Sequence, residues 1–447
     1  MLFQHQKESL AFFEKTPIGF DMSDCGTGKT LVQIEWLRAH LGDKRALIVC
    51  PKSLMHAAWE TDFARFAPEI TIGFSHAGKW RKAFDDGMQV VIVNTDGVKN
   101  IDEKWLTNFD TLIVDESSSF KHHTSARSKA LLKLSKHFKY RHLMSATPAT
   151  NSITEIWHQV KILDQGERLG TAFTNFQTAC CTPVQAGKVQ RVFTKEGKER
   201  LIGPVRWVDK PGIQVIVSAL IEDITVRHKF EDCVDIPELF EYEREYVLDE
   251  GHQASYDAFL KDWILEVKDV PLSAVNAGSY AQKLLQLSSG ATYLDDGSFA
   301  VFNDGRYEFI LDLAEEYNHC VVFYIWRHQL ECLKRHANQR GLSYAVWDSS
   351  KPEIAKQFQD GEYRILFAQP ASAGHGLTLT RAQATIWASP TYNLEHYLQG
   401  IKRIHRIGQK QKTQSVMVLA NTKLEKRVYE ALRNKEMNLV NLLGEFV

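Results

Sequence analysis

The stretch SDCGTGKTLVQIEWLRAHL (23–41) decides the fold, because it joins a glycine-rich turn directly to an amphipathic pattern. After Lys29 the apolar residues recur at helical spacing, which predicts a helix with one apolar face. The residues of that face are Leu31, Ile34, Leu37 and Leu41. A strongly apolar run, ALIVC (46–50), follows soon afterwards. A turn, a helix and a buried strand in this order are typical of an α/β domain.

Further apolar runs, separated by helical patterns, occur in both halves of the chain. Continuous runs of this length predict parallel sheets that are covered on both faces. The runs are ALIVC (46–50), VVIV (90–93), TLIVDE (111–116), HLMSAT (142–147), CVVFY (320–324), SYAVW (343–347), RILFA (364–368), ATIWA (384–388) and SVMVLA (415–420). We therefore predict an α/β chain with parallel-sheet domains at 1–163 and 301–447, separated by helical and hairpin insertions at 164–300.

The middle of the chain is less periodic. Residues 184–210 hold seven Lys or Arg against three acids, and their alternation around a glycine predicts a β-hairpin. Arg191, Phe193 and Trp207 place basic and aromatic side chains in this segment. A solvated surface hairpin and a nucleic-acid contact are both open interpretations.

Composition limits the class of protein but gives no substrate. The 447 residues hold 54 Lys and Arg against 55 Asp and Glu, for a net charge of -1. This balance excludes a uniformly basic nucleic-acid binder and an acidic disordered chain, but not a local basic groove. The N-terminus lacks a signal-peptide pattern, and no apolar run is long enough for a membrane span. Seven scattered cysteines without a C-x-x-C pair argue against disulfides and structural zinc, so we expect a cytoplasmic protein.

The segment SDCGTGKT (23–30) predicts a phosphate-binding loop. Small residues before Lys-Thr let backbone N–H groups wrap a phosphate, and the next helix points its positive end at the same anion. In this pattern Gly26, Thr27 and Gly28 form the loop, Lys29 reaches the β- and γ-phosphates and Thr30 binds magnesium. Ser23 departs from the strict pattern, which begins with glycine, but the helicase-type variant fits fully.

A second motif, TLIVDES (111–117), delivers two carboxylates at the end of a predicted strand, where parallel sheets bind ligands. Asp115 is expected to bind magnesium through water, and Glu116 to orient or deprotonate the attacking water. Ser145 and Thr147 end another strand, and taken alone they are better explained by an ordinary strand-to-helix turn.

The downstream segment QGIKRIHRIGQKQ (399–411) places Arg403 and Arg406 three residues apart. On a helix both would face one side, and two planar guanidinium groups suit a polyphosphate that develops charge. A basic, solvated helix face is the alternative.

Taken together, these motifs resemble the Swi/Snf-type ATPases of helicase superfamily two over nearly the whole chain and in the family's order. LFQHQKESLAFF (2–13) resembles the adenine-contacting segment, and SDCGTGKT (23–30) resembles motif I. VCPKSLMHAAWETDF (49–63) resembles the block after motif I, and VDES and MSATPATN resemble motifs II and III. ASAGHGLTLTRA (371–382) resembles motif V, and HRIGQ (405–409) is highly specific to this family.

The resemblance implies two RecA-like domains with ATP and magnesium in the cleft between them. It implies adenine contact by Gln6, further nucleotide contacts by Gly376 and Gln399, and arginine fingers at Arg403 and Arg406. It also shows departures: Ser118 replaces the usual His of motif II, Thr378 stands where Asn is common, and His228 replaces an Arg.

A DNA path in such a chain must be local, since the overall charge is neutral. Turns that carry Ser, Thr, Gly and Lys suit phosphate contacts without sequence readout. The candidate DNA-contacting residues are Lys52, Ser53, Asn94, Thr95, Lys121, Arg191, Trp207, Ser372, His375 and Thr378. For Lys121 a solvated loop is the alternative.

Two functions remain open on the sequence. The leading hypothesis is an ATP-driven DNA helicase that unwinds or branch-migrates forks and Holliday-type junctions in replication, recombination or repair. In it the 184–210 hairpin is a wedge whose aromatic side chain stacks on a base. The second is a duplex translocase that displaces bound proteins without separating strands. A non-catalytic scaffold is disfavoured, because every catalytic residue type is present. We expect DNA and replication or recombination proteins as partners, and no membrane association. The expected location is the bacterial cytoplasm, whether the protein is encoded by the bacterium or by a virus.

Overall fold

Apolar runs from both halves of the chain form the central strands of two parallel sheets in a computed structural model of the protein. The structure describes residues 2–76, 78, 80–185, 190–193, 199–202, 205–267, 274–294, 296–373 and 377–444. The chain divides into two units. The first comprises Met1–Val184, Trp207–Asp235 and Lys435–Val447, and the second Gln185–Arg206 and Ile236–Asn434. The segment 164–300 is therefore shared between the units.

The strands are β1 (Ile18–Asp21), β2 (Arg45–Cys50), β3 (Ile72–Ser75), β4 (Val90–Asn94), β5 (Phe109–Asp115), β6 (Tyr140–Met144), β7 (Cys181–Gln185), β8 (Gln190–Phe193), β9 (Glu199–Ile202), β10 (Val205–Asp209), β11 (Thr225–Val226), β12 (Leu239–Tyr246), β13 (Ala291–Tyr293), β14 (Phe299–Val301), β15 (Cys320–Phe323), β16 (Tyr344–Val346), β17 (Ile365–Ala368), β18 (Ala384–Trp387) and β19 (Thr413–Ala420).

The α-helices are α1 (Gln4–Lys15), α2 (Lys29–His40), α3 (Lys52–Leu54), α4 (Thr61–Phe66), α5 (Lys82–Asp85), α6 (Ala126–Ser135), α7 (Ile156–Asp164), α8 (Phe173–Cys180), α9 (Ile213–Ile221), α10 (Phe230–Cys233), α11 (Glu250–Val267), α12 (Ala274–Ser288), α13 (Gly305–Glu315), α14 (Arg327–Gln339), α15 (Glu353–Asp360), α16 (Pro370–Ala373), α17 (Leu394–Ile401) and α18 (Lys423–Gly444). A π-helical turn spans Met55–Glu60, and 3₁₀ turns span Gly97–Asn100, Glu103–Leu106, Ser117–Phe120, Ile153–Glu155 and Glu222–Ile224.

The first unit is built on a sheet of strand order β11-β1-β6-β5-β2-β4-β3, and all its pairings are parallel. The side chains of β2 from Ala46 to Cys50 are fully buried, as expected for a strand covered on both faces. Helix α2 is buried more widely than predicted, because Val32 and Trp36 are buried in addition to the predicted face, whereas Leu31 is half-buried.

The second unit has a parallel sheet of strand order β12-β19-β18-β15-β17-β16. A buried ion pair ties α13 to α18: Arg306 donates from Nη1 to Glu425 Oε1 at 2.7 Å and from Nη2 to Glu425 Oε2 at 3.0 Å. The prediction of two parallel-sheet α/β domains is confirmed.

Two smaller features bear on the predictions. Strands β8 and β9 pair antiparallel, from Gln190 with Ile202 to Phe193 with Glu199, within the predicted hairpin. The residues that connect them, 194–198, lie outside the described part of the chain. The C-terminal stretch forms the helix α18, and the division between the two units falls within it, after Asn434. Among the described residues, no helix combines the length and apolarity that crossing a membrane requires.

Four buried histidines predict a pH dependence of stability. Burial is the largest cause of their lowered pKa values, which are about 3 for His142 and about 4 for His158, His328 and His405. An unfolded histidine titrates near about 6.5, so the unfolded chain binds more protons than the native one below that pH. We expect each histidine to lower the free energy of unfolding by about 1 kcal/mol per pH unit as the pH falls from about 6.5 toward 4.

Urea unfolding at a series of pH values between 7.5 and 5 measures this slope. The variant His142→Gln, which keeps a polar partner for Gln33 (2.8 Å from His142 Nδ1), should show a shallower slope. Stability that stays constant or rises as the pH is lowered through this range would contradict the assignment of these histidines as buried and neutral.

Candidate active site

The glycine-rich loop lies between the end of β1 and the start of α2, at the carboxyl edge of the first sheet. Gly26 and Gly28 have φ values of 90° and 83°, in the left-handed region that side chains rarely adopt. A Cβ atom on Gly26 would lie 3.1 Å from the ring of Phe230, and one on Gly28 would collide with the side chain of Gln6. Both positions therefore require glycine, as a loop that wraps a phosphate does.

Lys29 and Thr30 begin α2, where the N–H groups of the first turn and the helix dipole favour an anion. Lys29 Nζ donates to the carbonyl oxygens of Ser23 at 2.6 Å and of Asp24 at 3.0 Å. Burial lowers the pKa of Lys29, but nearby anionic groups, Cys25 first and then three carboxylates, outweigh burial and raise the pKa above its ordinary value. Lys29 is therefore charged at neutral pH, as a phosphate ligand needs to be.

Helix α1 brings Gln6 to the same loop. Gln6 Nε2 donates to the carbonyl oxygen of Thr27 at 3.1 Å, and Gln6 Oε1 accepts from the N–H of Phe3 at 3.0 Å. His5, which no sequence motif singles out, also hydrogen-bonds the Thr27 carbonyl through Nε2, at 2.8 Å. Both side chains are buried, so α1 supports the loop from one side.

The two carboxylates stand where β5 ends, as predicted from the sequence. Asp115 is buried, and its Oδ2 accepts the indole N–H of Trp59 at 3.0 Å. Its Oδ1 accepts the backbone N–H of Glu116 at 3.0 Å. Glu116 has φ 52° and ψ 57°, a left-handed conformation that is costly outside glycine and that clusters at functional positions. The charges of Glu116 and Asp115 both help to raise the pKa of Lys29, because these carboxylates lie near the loop. The loop and the carboxylates therefore belong to one site.

Trp59 is fully buried in the core of the first unit, and its hydrogen bond to Asp115 gives it a second role that can be tested. Trp59→Phe keeps most of the ring volume and removes one donor from a buried carboxylate. We expect the free energy of unfolding to fall by about 1–3 kcal/mol and the rate of ATP hydrolysis to fall with it.

The matched control is Trp36→Phe. Trp36 is equally buried and donates its indole N–H to the Phe13 carbonyl at 3.2 Å, away from the carboxylates. Denaturant unfolding should show a similar loss for both variants, while only Trp59→Phe should lower kcat. An equal loss of kcat in both variants would mean that the contact with Asp115 has no role beyond packing.

A polar link joins motifs II and III inside the first unit. Ser117 Oγ donates to Gln159 Oε1 at 2.8 Å, and both side chains are fully buried. Gln159 Nε2 donates in turn to the carbonyl oxygens of Pro148 at 2.7 Å and Glu155 at 3.0 Å. Ser118, the residue that replaces the usual His, is also buried. The sequence gives no signal for this link, because Gln159 lies on α7, far along the chain.

Lys121 lies close to this link. Its Nζ is 3.2 Å from Glu155 Oε1, and both side chains are largely buried. Glu155 also accepts the backbone N–H groups of Thr150 at 2.9 Å and Asn151 at 3.2 Å, which holds the turn after motif III. This geometry favours a structural role for Lys121 over the predicted DNA contact.

Four other predicted DNA contacts meet at one edge of the first sheet. Cys50 and Asn94 are register partners at the ends of β2 and β4. Lys52 and Ser53 follow β2 and are exposed, whereas Asn94 is half-buried and Thr95 is buried. The N–H of Thr95 donates to the carbonyl of Cys50 at 3.0 Å, which fixes the two turns side by side.

The remaining predicted DNA contacts are more scattered. Ser372 is half-buried in α16, Thr378 is exposed, and Trp207 is half-buried on β10. Arg191 lies on β8, where only the backbone is described, and His375 and Gly376 lie outside the described residues.

Arg403 and Arg406 lie close together, but not on a helix as predicted. Helix α17 ends at Ile401, and both arginines lie in the turn after it. Arg403 Nη1 and Arg406 Nη1 donate to the same carbonyl oxygen, that of Leu377, at 3.3 and 2.7 Å. The shared carbonyl, rather than helical spacing, brings the two guanidinium groups together next to the end of motif V.

Two other residues of this block are internal. Gln399, predicted as a nucleotide contact, is buried and its Nε2 lies 3.4 Å from Glu395 Oε1. His405 is buried and contacts the Pro237 carbonyl through Nε2 at 3.1 Å, and burial lowers its pKa to about 4. His405 is therefore neutral at physiological pH and packs within the second unit.

The first unit offers the chemistry that ATP and magnesium need. The two glycines, the charged Lys29 and the start of α2 suit a triphosphate, and Thr30 and Asp115 supply the oxygen ligands that magnesium prefers. Among the described residues, no group of three or more His, Cys, Asp or Glu side chains could hold a metal by itself. Magnesium bound with a nucleotide needs no such group, because the phosphates provide further ligands.

Comparison with known proteins places this site in a family. The sequence model of the SNF2-related domain matches residues 5–289, and that of the helicase conserved C-terminal domain matches residues 305–408. The chain is 29% identical to "Putative protein p41" of Acyrthosiphon pisum secondary endosymbiont phage 1, over 66% of this chain and 62% of that protein. It is 23% identical to the mouse "DNA annealing helicase and endonuclease ZRANB3", over 92% of this chain and 38% of that protein.

The chain thus spans less than two thirds of the length of these two relatives. Among solved structures, the Sulfolobus solfataricus SWI2/SNF2 ATPase core in complex with dsDNA aligns with a TM-score of 0.46 at 19% identity, covering 100% of this chain and 94% of that one. The resemblance read from the motifs is confirmed by the two sequence models. Because the first of them extends over more than half of its length, the chain belongs to the SNF2-related family.

Proposed function

We propose that this chain is an ATP-driven DNA motor that unwinds or branch-migrates forks and Holliday-type junctions in replication, recombination or repair. The observation that carries the ATPase part is the site at the carboxyl edge of the first sheet. There the glycine loop, a charged Lys29 and the carboxylates Asp115 and Glu116 lie together. Family membership supports the same reaction class.

The residues divide the work of ATP hydrolysis. The loop from Gly26 to Gly28 holds phosphate oxygens through backbone N–H groups, and Lys29 contributes a fixed positive charge. Magnesium, held by Thr30 and Asp115, would supply further positive charge to the phosphates. Glu116 orients the attacking water and takes its proton. Trp59 keeps Asp115 in place through the indole hydrogen bond.

Three observations support action on DNA. The exposed Lys52 and Ser53 lie beside Asn94 at one sheet edge, as expected for contacts to a phosphate backbone. The antiparallel β8–β9 pair lies in the basic segment proposed as a wedge. A relative carries the name "DNA annealing helicase and endonuclease ZRANB3". We propose a cytoplasmic protein that works with replication or recombination proteins.

Gel-based assays on three DNA substrates test the proposal: a forked duplex, a four-way junction and a linear duplex carrying a third strand. We expect ATP-dependent strand separation or branch migration on the fork and the junction, and none with a non-hydrolysable ATP analogue. ATP hydrolysis without processing of either branched substrate would contradict the proposal. Displacement of the third strand without branch processing would instead support a duplex translocase.

A further inference from the structure

The second unit contains a polar cavity of about 730 Å³ that belongs to neither the nucleotide site nor the predicted DNA contacts. Four of its lining residues immediately precede strands of the parallel sheet: His319 before β15, Ser343 before β16, Arg364 before β17 and Gln383 before β18. The cavity therefore lies at the amino edge of this sheet, whereas Ser372 and Thr378 follow the carboxyl end of β17.

The wall of the cavity is strongly positive. Arg364, Arg381 and Lys410 line it together with His319, and no carboxylate is among the described residues of the lining. Within the described ranges, no ion pair joins any of the three permanent cations to an Asp or Glu. A chain with as many acids as bases could have paired them, so three unneutralised cations in one cavity point to an anionic ligand.

Both guanidinium groups are held in place by neutral acceptors. Arg364 donates to two main-chain carbonyl oxygens, from Nε at 3.1 Å and from Nη2 at 2.7 Å. Arg381 donates from Nη1 to the Gln359 carbonyl at 3.1 Å and from Nε to His319 Nε2 at 3.0 Å. Burial, and then Arg381 and Arg364, lower the pKa of His319, which keeps it a neutral acceptor. These partners orient the arginines without cancelling their charge.

The other lining side chains identify the kind of anion. They are amides and hydroxyls, and the described part of the lining contains no aliphatic side chain and no Phe, Tyr or Trp. A nucleobase needs an apolar or aromatic surface to bind against, so a free nucleotide fits poorly. Guanidinium, ammonium and amide donors without such a surface suit the oxygens of a phosphodiester backbone.

We propose that this cavity binds the phosphate backbone of DNA and forms a second DNA-contacting surface, at the amino edge of the sheet in the second unit. The proposal rests on the function proposed above and deepens it, because a branched substrate presents more than one duplex arm. Contacts at opposite edges of one sheet suit two arms of a junction better than one straight duplex. A second contact of this kind would favour binding of branched DNA over linear duplex.

The double variant Arg381→Glu, Lys410→Glu tests this surface. Arg364 is left unchanged, because both hydrogen bonds of its guanidinium group go to main-chain carbonyl oxygens and hold the local backbone. Fluorescence anisotropy on a four-way junction and on a linear duplex of equal length should show at least a tenfold weaker affinity for the junction only. A plot of log K against log salt for the junction has a negative slope, and this slope should become less steep by roughly 2. Each phosphate that the protein no longer neutralises reduces the steepness by about 0.9. ATP hydrolysis stimulated by linear duplex should stay within twofold of the wild type.

Two further variants control for poor folding and for a general effect of the change in charge. Lys410→Glu alone changes an exposed residue and should show part of the effect if the double variant folds poorly. Lys423→Glu, Arg427→Glu makes the same change in charge at two exposed positions of α18 and should leave the junction-to-duplex ratio unchanged.

Equal losses on junction and duplex would overturn the proposal, because the cavity would then belong to a single duplex path. Unchanged binding of both DNAs would also overturn it. Weaker binding of inorganic tripolyphosphate with unchanged junction binding would assign the cavity to a free polyphosphate instead. These binding measurements need no turnover, so their failure is distinguishable from a wild-type protein that hydrolyses ATP without processing branched DNA.

Discussion

Replacement of Glu116 by Gln is expected to abolish ATP hydrolysis while ATP still binds. Gln keeps the size of the side chain but cannot take the proton of the attacking water, and loss of a general base costs about 10²–10⁴-fold in rate. The backbone at residue 116 is left-handed, with φ 52°, and that strain is the same for Glu and Gln, so the fold should persist. The measurements are steady-state ATPase activity at saturating DNA and the affinity for a fluorescent ATP analogue.

Glu35→Gln is the matched control for this variant. Glu35 lies on α2 of the same unit and pairs with Arg38 at the surface, at 3.2 Å. Exposed pairs of this kind contribute little, so this variant should retain wild-type turnover and binding. A Glu116→Gln protein that keeps more than a tenth of the wild-type rate would assign the general base to another residue.

Replacement of Arg406 by Ala is expected to lower turnover by about 10³-fold or more, with nucleotide binding nearly unchanged. The proposed role is that of an arginine finger, which stabilises charge on the phosphates only in the transition state. Its guanidinium group is planar and presents several donors, which suits the phosphate oxygens. Single-turnover hydrolysis and equilibrium binding of ATP separate the two effects.

The contact between Arg406 Nη1 and the Leu377 carbonyl, at 2.7 Å, suggests a competing explanation in which Arg406 only holds the end of motif V. Arg406→Lys distinguishes them, because a lysine can still donate to that carbonyl but lacks the guanidinium fork. As an arginine finger, Arg406 should not be replaceable by Lys. Recovery of more than about a third of the wild-type turnover in Arg406→Lys would show that holding Leu377 is the main role.

The sequence was sufficient for features that depend on neighbouring residues. Continuous apolar runs such as 46–50 and 320–324 identified buried parallel strands, because both faces of such strands are covered. The turn before Lys29 was recognisable because glycine at positive φ, a following lysine and a helix start are adjacent along the chain. The same holds for Asp115 and Glu116, which end an apolar strand.

Features that depend on tertiary placement were not recognisable. The Trp59 indole reaches Asp115 from a different segment, and Gln159 reaches Ser117 from α7, so no local pattern reports either hydrogen bond. The spacing of Arg403 and Arg406 fits one face of a helix, but α17 ends at Ile401 before either residue. Residue spacing in the sequence shows which side chains could lie together on a helix. Whether they do depends on where the helix ends, which the spacing does not show.

The cationic cavity of the second unit shows the same limit. Arg364 stands alone in its stretch and Arg381 lies at the end of the motif V segment, so no local pattern groups the two arginines, and only the parallel sheet brings them to one edge. The overall charge balance excluded a uniformly basic surface but could not locate a local one. The proposed DNA contact in this cavity lies at the edge of the sheet opposite to Ser372 and Thr378, which are predicted DNA contacts.

The most direct test of the central claim is DNA-stimulated ATP hydrolysis by the wild-type chain and by Lys29→Ala, measured side by side with a linear duplex and a four-way junction. Lys29 is the charged residue at the start of α2, in contact with the glycine loop and under the influence of both carboxylates. The account predicts robust DNA-stimulated hydrolysis in the wild type and its loss in Lys29→Ala, with DNA binding retained. Intact DNA-stimulated hydrolysis in Lys29→Ala would contradict the assignment of this site.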